Sequence, residues 1–502
     1  MTKRPEPSDL PTMWAVRGPA FLPADLAPAE GGDADDAGAA SSRGSAGGGD
    51  CGAGGLGAAW DSPAVSVRLV DDAVVVIEGG EIVAAGEREA LLRLGGAASQ
   101  QVLAAARAAR RWDGYILPGL VDIHCHGGGG QSFPDAATTD EAMVAVDEHL
   151  RHGTTSLVAS LVTDEPDVLA RQAALLAELC RSGALAGIHF EGPFLSPRRA
   201  GAQDPAKMQA PDPGLVRRLA QAAGGWMAVM TVAPELPGVV TGRIRDSGAA
   251  GASAEGDPPD GGDPDESVVA ALARVGAVAS FGHTDCSAEQ MGAAVAAADA
   301  ALAAAETVDA GQAPRTRTGR VATATHLFNG MRPIHHRDPG PVMEALAQAA
   351  AGAMVVELIA DGVHLDPRTA KDVFSLVGPG QIALVTDAMA AAGMPDGAYQ
   401  LGPAAVTVTD GVARLTHGGS IAGGTAHLID VVRSAWQSGG VPLADAVAAA
   451  TLTPARVLGA SSRIGLLARG RAADLVLADA DLRPRQVYAH GQRVAAGPPP
   501  PR

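Results

Sequence analysis

Apolar and polar positions alternate with two different rhythms along the chain, and the change falls at Gly114. Before it come short apolar runs separated by turns. These are Met13–Leu22, Ala64–Leu69, Ala73–Glu78 and, past the turn at Gly79 and Gly80, Glu81–Ala85. Runs of this length bounded by glycine read as strands of a small β module. Between the first two, from about Glu30 to Ala59, Gly, Ala, Ser and Asp dominate. A segment so poor in large side chains cannot bury enough surface to offset its ordering, so it reads as a flexible insertion.

After Gly114 apolar strands alternate with Ala-rich helical stretches, the mark of parallel βα units. Eight strands are predicted: Ile116–His124, Thr155–Ser160, Ala186–Glu191, Met227–Ala233, Ala277–Gly282, Val321–His326, Met354–Ala360 and Ile382–Asp387. Helical patterns such as Asp140–His152, Val168–Arg181 and Ala288–Ala305 lie between them. Eight repeats predict a (β/α)8 TIM-like barrel rather than an open doubly wound sheet. Two hydrophilic stretches, Gly242–Glu266 and Thr307–Arg320, read as surface insertions. Past Asp387 the pattern predicts a hairpin region over Tyr399–Leu415 and helices over Ala426–Ser438 and Leu443–Leu458. The tail returns to strands at Ala473–Ala478 and Gln486–His490, and pairing with the first module would complete both. The expected organisation is therefore an α/β chain with the barrel over 114–460. A small β-sandwich domain is built from both chain ends, 1–113 and 461–502.

Composition narrows the partners. With 38 basic against 56 acidic residues the net charge is −18, which argues against nucleic acid. Four cysteines in 502 residues, Cys51, Cys125, Cys180 and Cys286, form no disulfide framework, which fits a reducing cytoplasm. The start of the chain has no apolar core of the signal-peptide kind, and no apolar run reaches membrane-spanning length.

Candidate chemistry gathers at the carboxyl ends of the predicted strands, the face on which barrels build active sites. His124 and His126 end the first strand and, two residues apart, point to the same side. Glu191 ends the third strand, His283 follows the fifth, His326 ends the sixth, Asp361 and His364 follow the seventh and Asp387 ends the eighth. Glu191, His283 and His326 form an open set of one carboxylate and two imidazoles, the kind a catalytic divalent metal uses. His124 and His126 hold a second ion or support the first. The fourth strand carries no lysine, so any bridge between two ions falls to Glu191. Asp387 is the expected general base, with His364 donating to the oxyanion. The implied reaction is metal-assisted hydrolysis of an amide or related C–N bond. In THLFNGM, Asn329 and the backbone at Gly330 are placed to bind polar groups, and SIAGG lets a ligand approach the backbone. Arg337 is either a phosphate anchor or a solvated loop arginine.

The set LPGLVDIHCHGGGG, HFEGPFLSP, FGHTD, THLFNGM, ADGVHLDP, LVTDAMAAAG and SIAGG closely resembles N-acetylglucosamine-6-phosphate deacetylases of the amidohydrolase superfamily. The resemblance implies Glu191, His283 and His326 as metal ligands, with zinc or iron(II) the expected ion, one or two per subunit, and Asp387 as the acid/base. It implies sugar-phosphate contacts from Ala202, Asn329, Gly330, Arg337, His364 and the backbone of Ile421, Ala422 and Gly423. It also implies a homodimer or higher homo-oligomer and a cytoplasmic role in amino-sugar catabolism and cell-wall recycling. Two departures stand out. Some members lack the first-strand pair that is present here as His124 and His126. Gln203 stands where some members have a histidine that touches the sugar, and an amide donates but does not titrate. The alternative readings are an N-acetylgalactosamine-6-phosphate deacetylase, a deaminase or a cyclic amidase on the same barrel.

Overall fold

The computed structural model describes residues 13–24, 66–93, 100–242, 266–306 and 320–495. The expected insertion at 30–59 lies outside them, as do most of the stretches at 242–266 and 307–320.

Eight parallel strands form the barrel sheet: Leu120–Cys125, Thr154–Leu161, Gly187–Glu191, Met227–Val232, Val278–Phe281, Ala322–Ala324, Met354–Leu358 and Ile382–Leu384. Each pairs with the next in chain order. The ring closes just past the eighth strand, where Cys125 bridges Ala388 and the Asp387 N–H donates to His124 O at 2.9 Å. Nearly every residue of these strands is buried, as a parallel sheet covered on both faces requires. The interior is layered. Val158, Val229 and Val278 belong to one apolar cluster. Two residues further along the same faces stand Ser160, Thr231 and Ser280.

The helices between strands start where the sequence supplies caps. The Thr138, Asp212 and Ser267 side chains accept from Glu141 N, Gly214 N and Ala270 N, and Asp366 accepts from Arg368 N ahead of Pro367. The predicted helix over Leu443–Leu458 is two, Leu443–Ala449 and Leu452–Val457. Pro454 lacks the N–H that a continuous helix would use, and it fits the first turn of a new one.

The predicted strand Ile116–His124 is also two. Tyr115–Pro118 belongs to a separate eight-stranded sheet, where it pairs with Leu475–Ala478 from the tail, and Leu120–Cys125 starts the barrel. Gly119 separates them, with its N–H donating to Asp474 O. A Cβ there would lie 2.1 Å from Thr155 Oγ1, so the close approach of the two sheets requires glycine. The separate sheet also holds Met13–Pro23, Val67–Glu78, Glu81–Glu87 and Pro484–Ala489. The tail strands thus share a sheet with the first module, but through Tyr115–Pro118, a segment expected to open the barrel, and Val67–Glu78 forms one strand where two were expected. Its faces alternate: Val75 and Ile77 pack in one cluster, Val74 and Val76 with Leu91 and Ala106 in another.

The two later insertions end in residues with structural work. Glu266 is buried and paired with Arg217 and Arg274. Arg320 is buried, with Nη1 donating to Gly276 O at 2.6 Å.

Candidate metal centre

At the carboxyl end of the barrel four imidazoles meet two carboxylates. Glu191 Oε1 lies 2.9 Å from both His283 Nε2 and His326 Nε2. Glu191 Oε2 lies 3.2 Å from His126 Nε2. The Nε2 atoms of His124 and His126 are 3.2 Å apart, and Asp387 Oδ1 lies 3.4 Å from the first and 3.2 Å from the second. Ligand atoms fall into two groups of metal-binding size, His124 with His126 and Asp387, and His124 with Glu191 and His326. The first-strand pair is therefore part of the same cluster as Glu191, and His124 belongs to both groups.

Backbone strain aims three of these side chains. His283, His326 and Asp387 have φ of 47°, 27° and 46°, in the left-handed region that L residues seldom occupy. Each such conformation costs about 1–3 kcal/mol and persists because the surroundings hold it. Each lies two or three residues past the end of its strand, where a regular continuation would carry the side chain along the barrel wall. Gly330 shares the requirement: at φ 59° a Cβ would sit 2.9 Å from His283 Nδ1.

The field of the site calls for positive charge. Burial pushes the His124 pKa down, yet Asp387, Glu357 and Glu191 outweigh it and raise it to about 10. Burial pushes the Asp387 pKa up, but the charge of His124 and the hydrogen bond from His126 hold it well below the usual carboxylate range. Glu191 is likewise held low, with His126, His283 and His326 overcoming its burial. Convergent imidazole nitrogens and carboxylate oxygens of this kind are the donor set of a divalent transition metal, so the residues fit one.

Residues that the sequence reading did not single out orient the cluster. Glu357, next to last in the seventh strand, places Oε2 at 3.0 Å from His124 Nδ1 and accepts from His326 N at 3.2 Å. Asp122 accepts from His124 N, Thr386 N and Thr386 Oγ1, tying the first strand to the eighth. His189 lies beneath, its ring 4.5 Å from that of His124 and its nitrogens on Ser160 Oγ and Thr231 Oγ1. The available signal was a charged or imidazole side chain inside a fully buried apolar strand, which demands a partner.

The expected substrate contacts are distributed around this centre. Gln203 is buried and doubly engaged, accepting from Thr163 N at 2.8 Å and donating to Glu191 Oε2 at 2.6 Å. It therefore braces a candidate ligand, which the sequence reading, placing it on the sugar, did not foresee. Ala202 packs against the apolar cluster that includes Met389 and Ala390. Asn329 Nδ2 donates to His326 O and Leu327 O. The strip Ile421–Gly424 continues the closure of the ring: Ala388 bridges Gly424, whose N–H donates to Asp387 O, and the Ala422 N–H donates to Ala413 O. At Gly423 a Cβ would approach Asp387 O to 2.9 Å. Arg337 sits on an exposed loop with Nη1 2.8 Å from His336 Nε2. His364 stands after the seventh strand with Nδ1 on Asp361 Oδ2.

A model of the amidohydrolase family matches residues 115–244 and 266–495. The N-acetylglucosamine-6-phosphate deacetylase of Bacillus subtilis (strain 168) is 34% identical over 385 residues, covering 74% of this chain and 82% of that one. The N-acetylgalactosamine-6-phosphate deacetylase of Escherichia coli O157:H7 is 29% identical, covering 75% of this chain and 87% of its own. Among solved structures, a mutant N-acetyl-D-glucosamine-6-phosphate deacetylase of Mycobacterium smegmatis in complex with N-acetyl-D-glucosamine-6-phosphate superposes with a TM-score of 0.69 at 37% identity. It covers 85% of this chain and 96% of its own. By these matches the chain belongs to the metal-dependent amidohydrolase family and, within it, to the N-acetylglucosamine-6-phosphate deacetylases.

Proposed function

We propose that the protein hydrolyses N-acetylglucosamine 6-phosphate to glucosamine 6-phosphate and acetate. The observation that carries this reading is the meeting of His124, His126, Glu191, His283, His326 and Asp387 at one barrel mouth, in a chain so similar to known deacetylases. In this reading Glu191, His283 and His326 hold a divalent ion, zinc or iron(II), with His124 and His126 completing that site or holding a second ion. When bound, the ion supplies Lewis acidity to the attacking water and the scissile carbonyl. Asp387, ionised and lodged against His124 and His126, takes the proton from the water and returns it to the departing amine. His364 donates from Nε2 to the oxyanion that develops on the acetyl group. Asn329, Gly330, Ala202 and the Ile421–Gly423 strip contact the sugar, and Arg337 the phosphate. A homodimer in the cytoplasm completes the proposal. Among the described residues no helix is long and apolar enough to cross a membrane.

Zinc- or iron-loaded protein is expected to release acetate from N-acetylglucosamine 6-phosphate, with the galactosamine epimer and the unphosphorylated sugar as the comparison panel. Full metal occupancy without acetate release would sink the reading. Asp387→Asn should retain the metal and lose roughly 10²–10⁴ in kcat, the range for removing a general acid/base.

A further inference from the structure

A second group of ligand-type side chains gathers apart from the cluster at the mouth: Glu148, His152 and His427. One ligand atom from each lies within 4.8 Å of the other two, and the three share no member with the groups at the mouth. Glu148 and His152 stand four residues apart at the C-terminal end of the helix Thr139–Arg151, so they lie on one face of it. His427 comes from the chain just before the helix Leu428–Arg433. The ring nitrogens have distinct partners. His427 Nδ1 lies 3.3 Å from Asp430 Oδ2, and because a carboxylate only accepts, that nitrogen carries a proton. His152 Nδ1 lies 2.8 Å from the backbone oxygen of Glu148, which places a proton there as well. Both rings are thus held through Nδ1. His427 Nε2 faces Glu148 Oε1 at 2.9 Å, and among the described residues His152 Nε2 makes no hydrogen bond. The two rings stack nearly parallel, with centroids 3.5 Å apart. An imidazole that gives one N–H to a carboxylate or a backbone carbonyl and keeps the other nitrogen open is oriented as metal-ligating histidines are. Burial and the nearby charge of His427 push the His152 pKa down, which favours the neutral ring that a metal requires.

We infer that Glu148, His152 and His427 form a further site for one divalent transition-metal ion, with Asp430 as the acceptor behind His427. Two imidazoles and a carboxylate suit zinc and its neighbours, whereas magnesium and calcium call for oxygen donors alone. His152 is 38% exposed and Glu148 16%, so an ion reaches the group from solvent. The helix C-terminus adds partial negative charge at the same place. Two arginines stand at the rim, Arg151 with Nη1 3.9 Å from Glu148 Oε2 and Arg433 on Asp430, and neither touches an imidazole nitrogen. A bound ion takes the place of the proton between His427 Nε2 and Glu148, and that proton leaves to solvent. Such an ion joins the helix Thr139–Arg151 to the segment at His427. The site stands independently of the function proposed above.

Metal counting tests the inference, with zinc alone as the probe on the full chain stripped of metal. After equilibrium dialysis at the free zinc concentration that saturates the parent, His152→Ala is expected to hold about one ion per chain fewer, because it leaves the ligands at the mouth untouched. Glu148→Gln, which keeps the size of the side chain, should lose the same ion. The two changes together should lose one ion and not two, since both act on a single site. Asp430→Asn leaves all three ligands and weakens the acceptor behind His427, so in titration against a competing chelator it should lower zinc affinity at this site by about 10–100-fold. Magnesium in roughly 100-fold excess should displace nothing from it. Equal zinc counts in the parent and in both single variants would overturn the site and leave the four residues an ion-pair network, and displacement by magnesium would overturn it too. Thermal melting of the stripped variants reads folding separately, and if His152→Ala fails to fold, the count for Glu148→Gln decides.

Discussion

At the scale of single residues, the site depends on acceptors behind the candidate ligands as much as on those ligands' own positions. Glu357 serves two of them at once, His124 through its ring and His326 through its backbone N–H. A carboxylate behind a metal-ligating imidazole fixes its tautomer and raises its basicity. Glu357→Gln is therefore expected to weaken metal binding by about 10–100-fold while leaving the fold intact, as metal titration against a competing chelator would read. Unchanged affinity would show that the His124 orientation is set by packing. That Asp387, His124, His126 and Glu191 gather at one barrel mouth was legible because polar side chains at strand ends stand out in an apolar run. Glu357 and Asp122 were hidden because a charged residue inside a strand reveals a need for a partner without naming it. The role of Gln203 was hidden for another reason: its partner, Glu191, is brought to it by the loop that follows the third strand.

At the scale of elements, the helix Thr139–Arg151 is clamped to the segment that follows the Ile421–Gly423 strip. Glu148 Oε1 lies 2.9 Å from His427 Nε2, the His152 ring stacks on His427 at 3.5 Å, and His427 Nδ1 lies 3.3 Å from Asp430 Oδ2. Burial would raise the Asp430 pKa, but the hydrogen bond and charge of His427, with Arg433, bring it down to about 2 from 3.8. A carboxylate whose pKa is lower in the folded than in the unfolded chain stabilises fully above the unfolded value, and that contribution is lost as pH falls through the folded one. Asp430→Asn should then cost about 1–2 kcal/mol near pH 7 after allowance for solvent screening. In urea unfolding the difference between parent and variant should shrink as pH drops from about 4 to about 2, and a constant difference would argue that packing carries the effect. Gly424, between that strip and His427, bridges Ala388, so the clamp also steadies the backbone beside Asp387.

At the scale of the whole molecule, a metal held at the mouth would be coupled to the fold, because the ring of strands closes where the candidate ligands meet. Cys125, between the two histidines, bridges Ala388, the residue after Asp387, and Ala388 bridges Gly424. An ion held by the mouth binds the folded chain and not the unfolded one, so adding zinc to stripped protein at about 100 times Kd should stabilise it by about 2.7 kcal/mol. Thermal unfolding with and without zinc reads this, and an unchanged transition would separate the ion from the closure of the barrel. The sequence by itself determined most of the strand and helix order, the barrel class and the polar residues at the carboxyl face. Each of these follows from local periodicity and from residue types whose chemistry is conspicuous in an apolar run. Tertiary structure decided where the first strand divides at Gly119, that the first-strand histidines share one cluster with Glu191 and Asp387, and which buried groups brace them. Those outcomes depend on close approaches between segments as far apart in the chain as His124 and Asp387, and on left-handed backbone at His283, His326 and Asp387 that local preference disfavours.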